Sequence, residues 1–220
     1  MEKRIPQLDI QTFYNNVIGQ QVENLEGLQA PVPAAFYTLF HQDSTNGTRH
    51  GLELGYGYGQ YSVALAEAGY KVDAIDVIDP SFFRERMAEH PNKDAIQITQ
   101  LDARSFDPLN RYDFIVIKDV LHYFNQEEVK SLLGRLIERS TLDSVHYLVI
   151  FSGIRRQKGG VPVHIEGEAS FTNDGLTEMM TTLYNSWRVE MVTEPYSEAK
   201  DATTPYFRAN KNTLICRRIL

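Results

Sequence analysis

Cysteine is almost missing from this chain. Cys216 is the single one in 220 residues, so no disulfide can close within the chain, and a reducing compartment is the simpler expectation. No stretch approaches the unbroken run of about 20 apolar residues that a membrane helix needs. Basic residues are also short, 22 against 29 acidic, for a net charge of −7. Proteins that hold nucleic acid through its phosphates usually carry the opposite balance, so neither DNA nor RNA is expected as a partner. Met1 to Arg4 lead into Pro6 and polar side chains, not into an apolar signal core. Metal ligands are sparse as well. His164 and Glu166 have the right chemistry, but two groups make no site, and no metal is expected. These absences lead to the expectation of a soluble cytoplasmic protein, with its oligomeric state open, and say nothing yet about chemistry.

What is present is apolar matter for one sizeable core, 42% of the chain, arranged in an alternating order. In residues 8–26, Ile10, Phe13, Val17, Ile18 and Leu25 fall near one helical face. Pro31 and Pro33 break that pattern, Ala34 to His41 suit a short helix, and 43–48 read as a loop. Residues 1–48 are therefore expected to form an N-terminal helical lid or flank, and 49–220 the main domain of a single compact unit. In that domain Leu52–Leu54, Lys71–Val77, Ala95–Leu101, Tyr112–Lys118 and His146–Phe151 read as strands. Helices separate them: Tyr61–Ala68, ended by Gly69; one capped by Asp79 with Pro80 first, running to about His90; and one capped by Asn125 with Glu128. Leu176 to Leu183 marks a further helix, and Trp187–Thr193 and Thr213–Ile219 complete the strands. This order predicts an α/β fold with a Rossmann-like, seven-stranded, mostly parallel sheet, helices on both faces and an antiparallel last strand. Gly153 to Asn173 is long for a connection and is expected to be a substrate-binding insertion. Its Arg155-Arg156-Gln157-Lys158 run is expected to be solvated.

Ligands on such sheets bind beyond the carboxyl ends of the strands, where the strand order reverses. There the sequence places Glu53-Leu54-Gly55-Tyr56-Gly57-Tyr58-Gly59. Spaced glycines let the backbone turn sharply and let a ligand lie against it. Glu53, a carboxylate in a buried strand, needs a cation or strong donors, such as the ammonium of a bound amino acid. Asp76, about 20 residues after Gly55, suits the two hydroxyls of a ribose, with Val77 beside it. Asp102, followed by Ala103, stands where an adenine amine would be met.

These segments resemble the class I methyltransferases, whose acidic-x-Gly-x-Gly-x-Gly motif, acidic end of the second strand and Asp-Ala pair after the third match Glu53 to Gly59, Val72 to Asp76 and Leu101 to Ala103. Tyr112 to Phe124 is similar to the family's fourth-strand motif. The resemblance covers residues 50–151, and within the family the late strand ending Cys216-Arg217-Arg218 resembles small-molecule enzymes of the tellurite-resistance and thiopurine type. It implies S-adenosyl-L-methionine as cofactor, methyl transfer to a small-molecule acceptor, and cofactor contacts at Glu53, Gly55, Gly57, Gly59, Asp76, Val77, Asp102, Ala103 and Lys118. Tyr14 or its neighbour Phe13 is expected to face the cleft from the lid. Tyr56 and Tyr58 are bulky for the motif and are expected to narrow the cleft or stack on its contents. Lys118 either repels a sulfonium or holds an anionic substrate.

On the acceptor side stand Asp119, His122 and Tyr123. His122 and Tyr123 are the catalytic candidates, with His122 either a general base or an exposed loop residue. With no firmly marked base, the acceptor is expected to be already nucleophilic, a thiolate or soft oxyanion positioned by His122. Two other readings remain. A nicotinamide-dependent reductase would need Gly-x-Gly-x-x-Gly, but Gln60 stands at the last glycine, and Tyr196 to Lys200 matches Tyr-x-x-x-Lys far from the mid-chain helix it requires. A non-catalytic cofactor-binding regulatory protein is compatible with every motif above.

Overall fold

The computed structural model describes residues 3–19, 31–40, 47–199 and 205–219. Strand β1 (Lys3–Ile5) and helices α1 (Gln7–Gly19) and α2 (Ala34–Tyr37) precede the alternating part. Then come β2 (Arg49–Leu54), α3 (Gln60–Glu67), β3 (Tyr70–Asp76), α4 (Ser81–Met87), β4 (Ile96–Gln100), β5 (Tyr112–Lys118) and α5 (Gln126–Glu138). The chain closes with β6 (Ser140–Lys158), β7 (Val161–Ile165), α6 (Asn173–Leu183), β8 (Trp187–Ala199) and β9 (Pro205–Arg218).

The sheet has nine strands where seven were expected, and seven of them stand in the order β4-β3-β2-β5-β6-β9-β8, with β7 and β1 added beside β6. β9 pairs antiparallel with both its neighbours, while β2 to β6 pair in parallel. The chain moves outward from β2 to β4, then returns to β5 on the other side of β2. That reversal opens a crevice beyond the carboxyl ends of β2 and β5. Alternation within the strands feeds two cores. Ile115, Ile117, Leu52 and Leu54 pack toward α5 and α6, and Phe114, Val116, Val72 and Ala74 pack with α2, α3 and α4. α5 carries the capping box read from Asn125 and Glu128. Cys216 is a fully buried strand residue, its thiol pushed up to about 12 by burial.

Several sequence expectations are corrected here. The segment from Gly153 is no irregular insertion. β6 runs on past the sheet, turns at Gly159 and Gly160 with φ of 59° and 76°, and returns as β7. Two glycines at positive φ make the tight turn whose twist matches a hairpin. β7 takes the edge of β6 beyond the end of β5, and β1 pairs with it in parallel, so the expected helical flank also contributes a strand to the sheet. Arg156 is not solvated, because both of its neighbouring contacts bury it: Glu168 forms an ion pair with it, and its guanidinium lies 5.0 Å from the Phe207 ring centre. β8 and β9 exceed the expected strands because they pair with each other beyond the sheet edge, as far as Ala199 and Pro205. The helix expected over 8–26 is described as Gln7–Gly19, and Leu25 and His41 lie outside the described residues. α4 begins at Ser81, with Pro80 in the cap position, and ends at Met87, short of His90. Asp79 still accepts the Ser81 amide at 2.8 Å.

Candidate functional site

A cavity of about 400 Å³ occupies the crevice. Its wall is built from the strand ends. The turn after β2 enters the left-handed region at Gly55, φ 78°, where a Cβ would stand 2.1 Å from Val120 Cγ2. Gly59 caps α3 at φ 74°, and a Cβ there would fall 2.2 Å from the Phe83 ring. The turn is thereby held flat against the cavity. Gly59 itself does not line it, while Glu53, Gly55, Gly57, Asp76, Val77, Asp102, Ala103, Lys118, Tyr14 and Tyr123 all do.

Glu53 finds donors within the chain, which corrects the expectation that a ligand must supply them. The Ser62 amide donates to Oε2 at 2.7 Å, and the Ser62 hydroxyl donates to the same oxygen. The first turn of α3 thus anchors the carboxylate, as helix N-termini do. Burial still raises its pKa from 4.5 to about 8. Asp76 receives the Gly57 amide on Oδ2 at 2.9 Å and the Ile78 amide on Oδ1 at 3.3 Å. It therefore ties the end of β3 to the glycine turn, and burial raises its pKa. Asp102 is gripped by the Arg104 guanidinium, whose Nε lies 2.9 and 3.0 Å from the two oxygens. That pairing holds its pKa below the ordinary value.

Lys118 is not a bare charge, for its ammonium donates to Asp119 Oδ2. Asp119 is the one non-glycine among the described residues with positive φ, at 59°. Its Oδ1 is buried with no partner among the described residues. A strained backbone and an orphaned carboxylate oxygen at one residue on a cavity wall mark a functional position.

Beside the expected Tyr14, the wall also carries residues that the sequence reading did not single out for it. Helix α1 covers one side with Gln7, Leu8, Ile10, Gln11 and Tyr14. The Gln7 amide donates to the Tyr123 carbonyl at 2.6 Å, Gln11 to the Val77 carbonyl at 3.0 Å, and Asn15 accepts the Asp79 amide at 2.8 Å. Arg104 donates to Gln7 Oε1 at 2.9 Å, and the Tyr14 and Tyr123 hydroxyls share a bond of 2.6 Å. The legible signal was Gln7, Gln11 and Tyr14, spaced to share a helix face. Phe13 is 47% exposed, so Tyr14 is the aromatic that faces inward.

One expectation fails in place. His122 is neither a loop residue nor on the cavity wall. It sits in a 3₁₀ turn at 2% exposure, packed on Tyr123 and Phe151, and burial drives its pKa well below 6.5. Tyr56 and Tyr58 do line the cavity, but their rings pack back on Phe83 and Phe82, and both hydroxyls are buried without partners among the described residues. No described His, Cys, Asp or Glu residues cluster as a metal site.

The architecture defines the class: this is a methyltransferase fold of class I. The chain belongs to the family described as tellurite resistance protein TehB, which matches residues 45–202. TehB from Haemophilus influenzae superposes with a TM-score of 0.62 at 18% identity, covering 94% of this chain and 67% of that one. The 1,6-didemethyltoxoflavin-N1-methyltransferase of Burkholderia thailandensis, solved with its acceptor and S-adenosylhomocysteine, gives 0.62 at 14% identity, over 97% and 87% of the two chains. The N-methyltransferase NodS of Bradyrhizobium japonicum WM9, in complex with S-adenosylhomocysteine, gives 0.58 at 15%, over 94% and 99%. No curated protein matches the sequence. No described helix is long and apolar enough to cross a membrane.

Proposed function

We propose that this protein is a cytoplasmic enzyme that transfers the methyl group of S-adenosylmethionine to a small-molecule acceptor. One observation carries the reading. The carboxylates of Glu53, Asp76 and Asp102 stand at the ends of three neighbouring strands around one cavity, with a glycine turn that a single Cβ would block. Glu53, Gly55 and Gly57 suit the amino-acid end of the cofactor, Asp76 and Val77 the ribose, and Asp102 and Ala103 the adenine, with Arg104 bracing Asp102. Tyr14 and Tyr123 close the cavity on the side of α1. When bound, the cofactor supplies a sulfonium-activated methyl group. What the chain adds is alignment of the acceptor and exclusion of water, which accounts for much of such a barrier. The Lys118 charge, spent on Asp119, does not oppose a sulfonium.

Titration calorimetry tests this directly. S-adenosylmethionine and S-adenosylhomocysteine are expected to bind and NAD is not; tighter binding of NAD would overturn the reading. Asp76→Ala should cost cofactor binding on the order of 1–3 kcal/mol, as for a charge-assisted bond. A non-catalytic regulatory protein would give the same binding with no labelled methyl transferred to any member of a broad metabolite panel.

A further inference from the structure

Outside the cavity, β8 and β9 run on beside the extension of β6 and carry a second acidic feature there. Glu198 on β8 accepts the Tyr196 hydroxyl on Oε1 at 2.9 Å and the Tyr206 hydroxyl on Oε2 at 2.7 Å. Two phenols hold this carboxylate in place while leaving its charge uncancelled, since neither is a cation. Ring contacts link it to the cavity wall without a break. Tyr14 meets Tyr123 at 6.2 Å, Tyr123 meets His122 at 4.2 Å, His122 meets Phe151 at 5.1 Å, and Phe151 meets Tyr196 at 5.0 Å. Asp119 and Glu198 both act electrostatically on the Tyr14 hydroxyl, and Asp119 also acts on Tyr196, so the two carboxylates bear on one region. The cations of this region already serve other carboxylates: Lys118 serves Asp119 Oδ2, and Arg156 serves both oxygens of Glu168. Of these groups Asp119, Tyr14 and Tyr123 line the cavity, and Glu198 lies behind that wall, close enough for its charge to act on Tyr14. Asp119 Oδ1, orphaned and buried, calls for a donor from outside the chain.

We propose that the methyl acceptor is an amine with an aromatic body, its N–H on Asp119 Oδ1, its ring against Tyr14 and Tyr123, and Glu198 behind that wall attracting its cationic form. This deepens the methyltransferase reading and rests on it. It replaces the thiolate or oxyanion expected from the sequence, which would bring negative charge against both carboxylates. Before the transfer the bound ammonium gives one proton to Asp119 Oδ1, which passes it to water, and the lone pair so freed forms the N–C bond to the methyl carbon. The C–S bond breaks with its electron pair left on sulfur.

The test uses the full chain saturated with S-adenosylhomocysteine, titrated calorimetrically with 2-phenylethylamine, thiophenol and selenite, beside methylation assays of the same three with labelled S-adenosylmethionine. The amine is expected to bind and to be methylated. Glu198→Gln should raise its KM at least tenfold, and Asp119→Asn, which tolerates a positive φ, should lower kcat/KM at least tenfold. Both variants should retain S-adenosylhomocysteine binding, which shows them folded. Methylation of thiophenol or selenite without amine binding, or a Glu198→Gln variant with unchanged KM, would overturn the amine proposal and leave the methyltransferase reading standing. Failure of the wild-type chain to bind S-adenosylhomocysteine would overturn that reading itself.

Discussion

At Gly59 the φ of 74° and the Phe83 ring, 2.2 Å from any added Cβ, leave room for glycine alone. Gly59→Ala should destabilise the protein by about 2–4 kcal/mol, combining left-handed strain with overpacking, as read by urea denaturation. A loss under about 0.5 kcal/mol, the range of ordinary surface changes, would mean that the turn relaxes freely. Glu53 and Asp76 were legible as cavity residues, yet their internal partners were not. Ser62 and the Gly57 amide reach them across nine and nineteen positions of sequence, and no local pattern encodes such a meeting. His122 misled for the same reason, since a histidine beside aspartate and tyrosine in sequence gives no sign of the Phe151 ring that buries it.

Among the elements, the parallel strands and the long helices were readable because their apolar periods agree with their caps. α5 has both its capping box and a buried face of Val129, Leu132, Leu133 and Leu136. The β6–β7 hairpin was overlooked although Gly159-Gly160 announces it, because Arg155 to Lys158 before the turn are charged and polar and Pro162 interrupts the apolar run after it. α1 was sought by its apolar stripe, but its polar stripe is what joins it to the domain. We propose that this helix is a strap over the cofactor, latched by Gln7, Gln11 and Asn15 to loops on both rims of the cavity. These bonds are partly exposed and number few, so the helix should open at lower free energy than the sheet. Limited proteolysis is expected to cut near α1 in the free protein and to slow at least severalfold with S-adenosylhomocysteine. Gln7→Ala with Gln11→Ala should speed the cutting and weaken ligand binding together. Equal cutting in every state would reduce the helix to static packing.

For the whole molecule, the buried titratable groups set a stability profile with two opposing arms. Burial pushes His146 down to about 3, and His122 also falls well below 6.5. As pH drops below 6.5 the unfolded chain takes protons that these rings refuse, so stability is lost on the acid side. His146 is committed to that state by its bonds, since Ser140 donates to the Leu136 carbonyl, leaving its oxygen to accept from Nε2, while the Tyr184 hydroxyl lies 2.7 Å from Nδ1. Glu53 works in the other direction. Its folded pKa of about 8 exceeds the ordinary 4.5, so between these values the folded chain holds a proton that the unfolded chain has released. Stability therefore declines as pH rises toward 8 and levels above it, and Asp76, raised in the same sense, adds to the decline. Above pH 6.5 the histidine arm is silent and the carboxyl arm stands alone. Urea denaturation at intervals from pH 6.5 to 8 should show the wild-type chain losing up to about 2 kcal/mol, the most that one proton per molecule allows over that window. Glu53→Gln keeps an acceptor for Ser62 and removes the titration, so its curve should be flatter by most of that amount. Parallel curves for the two proteins would mean that Glu53 is ionised throughout, its charge met by Ser62 and Lys118 more fully than its burial opposes it.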